Sequence, residues 1–341
     1  MLRYPETHSI RSPLDPIHDM LVLVEYLTTK DYVISTLVSR HSITKKDAAK
    51  RAELIVPHVQ TATAFIEQSL QTQPELSFLP AYYGILNLMK VYILIGPHYQ
   101  ELSAQRLHGA TYPVDEKDSR NLLTEHVVLK GKGAIPLLYK TVTGKALPAA
   151  KITMGNIYPY VSGITAEYSL ASGQQSRIAS FQIEMKPNKN RGEQILTLKF
   201  LRQRGDTRQY SLRDFKGLRL FKQDQRTKDI FVGQTFTGPV PYGDARLREH
   251  FCPFLIYGLR NDAVETPCCS KRLLLPEELP ITLLFFHMSN VVRYKPGMLY
   301  KIRSSRFWPM LAAARQHTLL RILVLTWSFV HQKNLELSHK F

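Results

Sequence analysis

Twelve histidines and many arginines give this chain of 341 residues repeated chances to set an imidazole near a guanidinium. An Arg and a His on one helix, with four to six residues between them, can cleave RNA without metal. The imidazole moves the proton, and the guanidinium steadies the charge that builds on phosphorus. Four pairs have that spacing: Arg3–His8, Arg11–His18, Arg51–His58 and Arg120–His126. Pro57 interrupts the third. The fourth is nearest in type, yet it runs into a segment that reads as a strand. With this many Arg and His, chance alone supplies such matches, so spacing selects no pair. A different constellation stands at Arg106-Leu107-His108-Gly109. The glycine permits a left-handed turn, and Arg106 with His108 could meet a phosphate there. A separation of two does not fit the helical pair. A structural His-Gly at a helix end, bonding a carbonyl, accounts for the same residues without chemistry. The catalytic candidates are therefore Arg106, His108, Arg120 and His126.

Other chemistries find no support. There is no Gly-x4-Gly-Lys-Ser/Thr loop, no Gly-x-Ser-x-Gly elbow and no His-Glu-x-x-His helix. Asp206, Asp214, Asp224 and Asp229 lack a recognisable two-metal arrangement. Cys252, Cys268 and Cys269 match neither a disulfide framework nor paired zinc spacing. No metal and no cofactor is expected. The cysteine usage fits a reducing cytoplasm, and the N-terminus shows no apolar core of signal-peptide length.

The charge is concentrated. The formal net charge is +17. Between Arg177 and Lys228, fourteen basic residues face five acids, a balance of +9. Between Arg293 and Arg321 there are seven basic residues and no acid, a balance of +7. The rest of the chain is close to neutral. Two basic surfaces are one reading, and solvated faces that only aid solubility are the other. On the first reading the nucleic-acid contacts are Lys199, Arg202, Arg204, Arg208, Arg213 and Arg219, then Arg293, Lys295, Lys301, Arg303 and Arg306.

The elements that must hold these residues fall into three regions. Asp15-Pro16 opens a helix, Ser42 or Thr44 caps a second, and Pro57 kinks or ends it. Pro80 lies in the first turn of an apolar helix that Gly96-Pro97 stops. The apolar stretches Ile85–Gly96 and Leu319–Val330 contain Lys90 and Arg321, and each is too short to span a membrane. They read as core helices. In the middle, period-two alternation marks strands at Ile178–Lys186 and Gln194–Leu201. Further candidates are Val127–Lys130, Leu137–Val142, Leu218–Lys222, Ile230–Phe236 and Phe254–Tyr257. Pro276-Glu277-Glu278 starts a helix that ends near Lys295-Pro296-Gly297, and a last helix runs from Pro309 to about Gln332. The expected fold class is α+β. N- and C-terminal helices pack as one bundle (1–115 and 271–341), with an antiparallel β-rich insertion between them (116–270).

Residues 74–112 resemble the YaaC-like family of bacterial proteins. The resemblance rests on Pro80, Tyr82-Tyr83, Leu86–Lys90 and His108-Gly109. The C-terminal run MSNVVRYKPGMLYKI, with Arg293-Tyr294-Lys295-Pro296, and the following TWSFVHQK helix are similar to the family's end. The family implies no characterised activity. Its helices resemble HEPN-type bundles, which often belong to RNA-cleaving toxins and defence proteins. Three functions follow as expectations: a basic RNA-binding protein, a HEPN-like metal-independent ribonuclease or defence effector, and a non-catalytic scaffold or homo-oligomer subunit. The expected partner is nucleic acid, RNA before DNA, with no membrane.

Overall fold

The computed structural model describes residues 6–11, 15–103, 107–114, 121–187, 193–201, 222–225, 230–237, 256–257, 263–267 and 276–338. Helix α1 (Pro16–Glu25) starts as its sequence dictates. The Asp15 carboxylate accepts the backbone N–H of His18 at 3.1 Å, and Pro16 takes a position where its missing N–H costs nothing. After α2 (Lys30–His41), the Thr44 hydroxyl accepts the Asp47 N–H at 3.2 Å and caps α3 (Lys45–Gln71). Pro57 neither ends nor splits α3. The buried stripe Ala52, Ile55, Val59, Ala62 and Ile66 runs straight past it, so packing on both sides holds the helix together.

Helix α4 (Phe78–Ile95) is buried almost all round. That pattern belongs to the centre of a core. By length and composition it is the one helix among the described residues that reaches the size of a membrane span, and most of it lies inside the fold. It packs on α3, on α6 (Ala134–Thr143), and on the C-terminal helices α8 (Glu278–Tyr294) and α10 (Phe307–His331). Phe78 meets Phe285 with ring centroids 5.7 Å apart, and Tyr92 stacks on Phe329 at 4.4 Å. The flanking helices thus form one body, as their order along the chain predicts.

Among the described residues three sheets accompany the helices. A three-stranded antiparallel sheet joins β2 (Ala110–Thr111), β3 (His126–Leu129) and β4 (Ala150–Thr153). A six-stranded antiparallel sheet is built from β5 (Ile178–Pro187), β6 (Glu193–Leu201), β7 (Lys222–Gln223), β8 (Ile230–Thr237), β9 (Ile256–Tyr257) and β10 (Ala263–Pro267). Its order is β7-β8-β6-β5-β10-β9. Phe181 pairs Phe200 and Leu198 pairs Phe231 in register, so one face carries a small aromatic cluster. The third sheet joins the two ends of the chain: β1 (Glu6–Arg11) runs parallel to β11 (Lys333–Ser338).

One reading needs correction. Leu137–Val142 is not a strand but the body of α6. Short apolar runs are ambiguous by periodicity, and here Gly133 and the left-handed Gly144 bracket a single helix. The terminal strands and α7 (Thr165–Ser172) carried no recognised signal. The main hydrophobic core also extends beyond residue 115. It takes in Leu122, Val127, Ile135, Met154 and Tyr168 and runs to Ala171 before resuming at Leu279. The portion of the middle region up to α7 therefore packs with the helices, and the six-stranded sheet follows it.

Candidate functional site

Two glycines place His108. Gly109 has φ +88° and Gly133 has φ +123°, both in the region that favours glycine. A Cβ on Gly133 would stand 2.4 Å from the Gly109 nitrogen, so the two backbones touch. The first N–H groups of α6 then find carbonyls: Ala134 donates to Leu107 at 3.0 Å and Ile135 to His108 at 2.9 Å. These bonds satisfy donors that every helix start leaves open. They fix the main chain of 107–109 and direct the imidazole back onto α4. There the Tyr82 hydroxyl lies 2.6 Å from His108 Nδ1, and the two rings stack at 5.8 Å. The His-Gly pair sits at a helix start, and the imidazole bonds a phenol rather than a carbonyl.

His108 is half-buried. Burial lowers its pKa below the ordinary value, and Arg293 and then Lys90 lower it further. The imidazole is therefore neutral at neutral pH and able to take a proton. Burial raises the Tyr82 phenol well above its usual range, so that hydroxyl keeps its proton, and its oxygen can accept from Nδ1–H, which leaves the Nε2 lone pair free to act as the base. Arg293, exposed at the end of α8, lies over the Tyr83 ring at 5.4 Å. Lys90 is half-buried on α4, and burial lowers its pKa. Among the described residues no acid pairs with Lys90 or Arg293. Beside them, His58 Nδ1 bonds the Asn87 side chain at 2.8 Å. The result is a cationic strip containing two imidazoles, with the features of an anion site.

The other candidates lie elsewhere. His126 is buried at the start of β3, in a cluster that also holds Glu125, Lys295, Tyr112, Tyr158 and His287. Tyr112 donates its hydroxyl hydrogen to Glu125, and Lys295 lies 3.6 Å from the same carboxylate oxygen. Tyr158 bonds His287 Nδ1 at 2.9 Å, and burial drives the His287 pKa down to about 3, with Lys295 and His126 adding to the effect. His126 and Lys295 are thus shut away from solvent, and Lys295 does not belong to the exposed basic set. Arg51 belongs to the structure as well. Its Nη1 donates to the carbonyls of Leu94, Ile95 and Gly96 at 3.0, 2.7 and 3.0 Å, closing the C-terminus of α4.

Of the expected nucleic-acid contacts, Lys199 is exposed on β6, and Arg293, Lys301 and Arg306 are exposed near α9 (Pro296–Arg303). Arg303 is exposed and also reaches Glu75 at 2.7 Å. Arg106, Arg120, Arg202, Arg204, Arg208, Arg213 and Arg219 lie outside the described residues. Tyr82, Asn87 and Lys90 show in the sequence only as three- to five-residue steps along one helix, and Glu125 and His287 carry no local signal. Among the described residues no group of three His, Cys, Asp or Glu could hold a metal ion.

No curated protein and no solved structure matches the chain. The family described as YaaC-like Protein matches residues 25–330, a span that runs from before α2 to the last turn of α10 and takes in the His108 strip and the basic end of α8. The chain belongs to the YaaC-like family.

Proposed function

We propose that this protein binds RNA in single-stranded form, with the end of α8 and helix α9 as the contact surface. The supporting observation is the mixture of exposed side chains there. Tyr294 is 47% exposed and Tyr300 73% exposed, standing among Arg293, Lys301, Arg303 and Arg306. Large aromatic rings left in water beside cations suit a strand whose bases stack while its phosphates are neutralised. Lys199, exposed on β6, and the basic residues that follow it in the sequence would add cations to the contact. The working location is the cytoplasm, and self-association would lengthen the surface. Anisotropy titrations with a mixed-sequence single-stranded RNA test the reading. Affinity should fall by orders of magnitude as salt rises, if six or so phosphates are engaged. Salt-insensitive or absent binding removes it.

His108 favours a second reading. A neutral, half-exposed imidazole held by Tyr82 and faced by Arg293 and Lys90 has the parts of a metal-independent ribonuclease: a proton acceptor and cations for a pentacoordinate phosphorus. RNA cleavage in EDTA, lost in His108→Gln, supports this reading. Intact RNA after prolonged incubation rejects it.

A further inference from the structure

The terminal strand pair forms one wall of a second cleft, remote in sequence from the His108 strip. Its volume is about 500 Å³, and β1, α1, α2, α10 and β11 all contribute to it. At its base three rings stand in a column. His8 stacks on Trp327 at 5.3 Å with a 22° tilt, and Trp327 stacks on His331 at 4.1 Å with a 19° tilt. The innermost ring is locked. His331 Nδ1 lies 2.8 Å from the Trp327 carbonyl, which only accepts, so Nδ1 carries the proton. Nε2 must then accept, and the Tyr32 hydroxyl donates to it from 2.8 Å. Burial holds the His331 pKa down to about 4, so this ring is neutral and adds no charge.

The upper part of the cleft has a different character. Tyr26 is 56% exposed and tilts against Tyr32 with ring centroids 5.8 Å apart. His8 is exposed as well. Arg40 and Lys333 line the same cleft and face His331 closely enough to depress its pKa. Aromatic faces flank the space and two cations stand at its rim, so one end is built for a flat ring and the other for negative charge.

We propose that this cleft binds a nucleotide, with the base against the exposed rings of Tyr26 and His8 and the phosphate at Arg40 and Lys333. It differs from the strand-binding surface of α8 and α9 in size and position. A space of this volume admits one nucleotide unit and closes on both chain ends, so an occupant bridges β1 and β11.

Trp327 reports on the cleft directly. The chain has two tryptophans, so a Trp308→Phe background leaves Trp327 as the sole emitter. That protein is titrated with AMP, adenosine and inorganic phosphate. The expected result is a saturable change in Trp327 emission with AMP, at least tenfold weaker binding of adenosine and of phosphate, and loss of the AMP response in Ser39→Phe, which fills the space from its exposed side without adding an emitter. Lys333→Ala should weaken AMP tenfold or more and leave adenosine unchanged. No saturable response to AMP at millimolar concentration overturns the proposal. So does a response that Ser39→Phe leaves intact in a protein with unchanged circular dichroism, or phosphate binding as tight as AMP binding. RNA affinity measured in parallel on Ser39→Phe keeps the two sites separate, because blocking this cleft should leave it unchanged.

Discussion

The Tyr82 hydroxyl and His108 Nδ1 lie 2.6 Å apart, joining the central core helix to the loop that precedes β2. Burial sets the imidazole's low pKa first, and Arg293 and Lys90 deepen the shift. Removing either cation makes the protonated ring less costly. Arg293→Gln and Lys90→Gln should each raise the His108 pKa toward its ordinary value, as read from the imidazole carbon shift in an NMR titration. An unchanged midpoint would separate His108 from those charges and end the ribonuclease reading.

The main-chain geometry at Gly109 makes a stability prediction. With φ at +88° and a Cβ position 2.3 Å from Pro136 Cδ, the site is closed to any side chain. Gly109→Ala should cost more than about 1 kcal/mol in urea denaturation. The Tyr82–His108 stack should loosen with it. Gly131, with open space around it, is the control and should tolerate alanine.

RNA binding should respond differently to the two kinds of side chain on α9. Tyr300→Ala removes a stacking ring and should cost about 1–3 kcal/mol with the salt dependence kept. Lys301→Ala and Arg306→Ala should each flatten the plot of log K against log salt by roughly 0.7. If Tyr300→Ala binds like wild type, the contact surface is elsewhere.

Acid should destabilise the fold before its carboxylates titrate. His287 and His331 are held down to about 3 and about 4, below the ordinary histidine value of 6.5. The unfolded chain therefore takes up protons that the folded chain refuses. Stability is complete above pH 6.5 and falls as pH drops toward those values, by up to about 1.4 kcal/mol per pH unit for each ring. His331→Gln should flatten the denaturation midpoint between pH 6 and 4.

A buried ion pair offers the sharpest contrast. Arg321 Nε and Nη2 donate to the Glu277 carboxylate at 2.6 and 3.0 Å, and Ser162 donates to it at 2.8 Å. Both partners are 6% exposed. Arg321→Met alone strands a carboxylate and should cost about 3–5 kcal/mol. Adding Glu277→Gln should recover much of that loss, because no net charge is then left in the core.

Capping residues and period-two alternation are local signals, and they marked α1, α3, α8, β5 and β6 within a few residues. The order of helices, sheet and helices also foretold that the two ends share a core. Local signals failed where an apolar run was short, as at α6, and where pairing depends on a distant partner. Strand β1 exists because β11 lies beside it, and nothing in residues 6–11 announces that.

The charge divides in the same way. Composition alone establishes that 293–321 carries seven cations and no acid. Only the tertiary structure sorts them. Lys295 is buried against Glu125 and Arg321 against Glu277, Arg315 is half-buried with a bond to the Ser69 carbonyl, and Arg293, Lys301 and Arg306 stay in water. The acids that neutralise the buried pair come from other elements, and a charge leaves water only when folding brings its counter-charge to meet it. Sequence counts cations; the fold decides which of them a partner can touch.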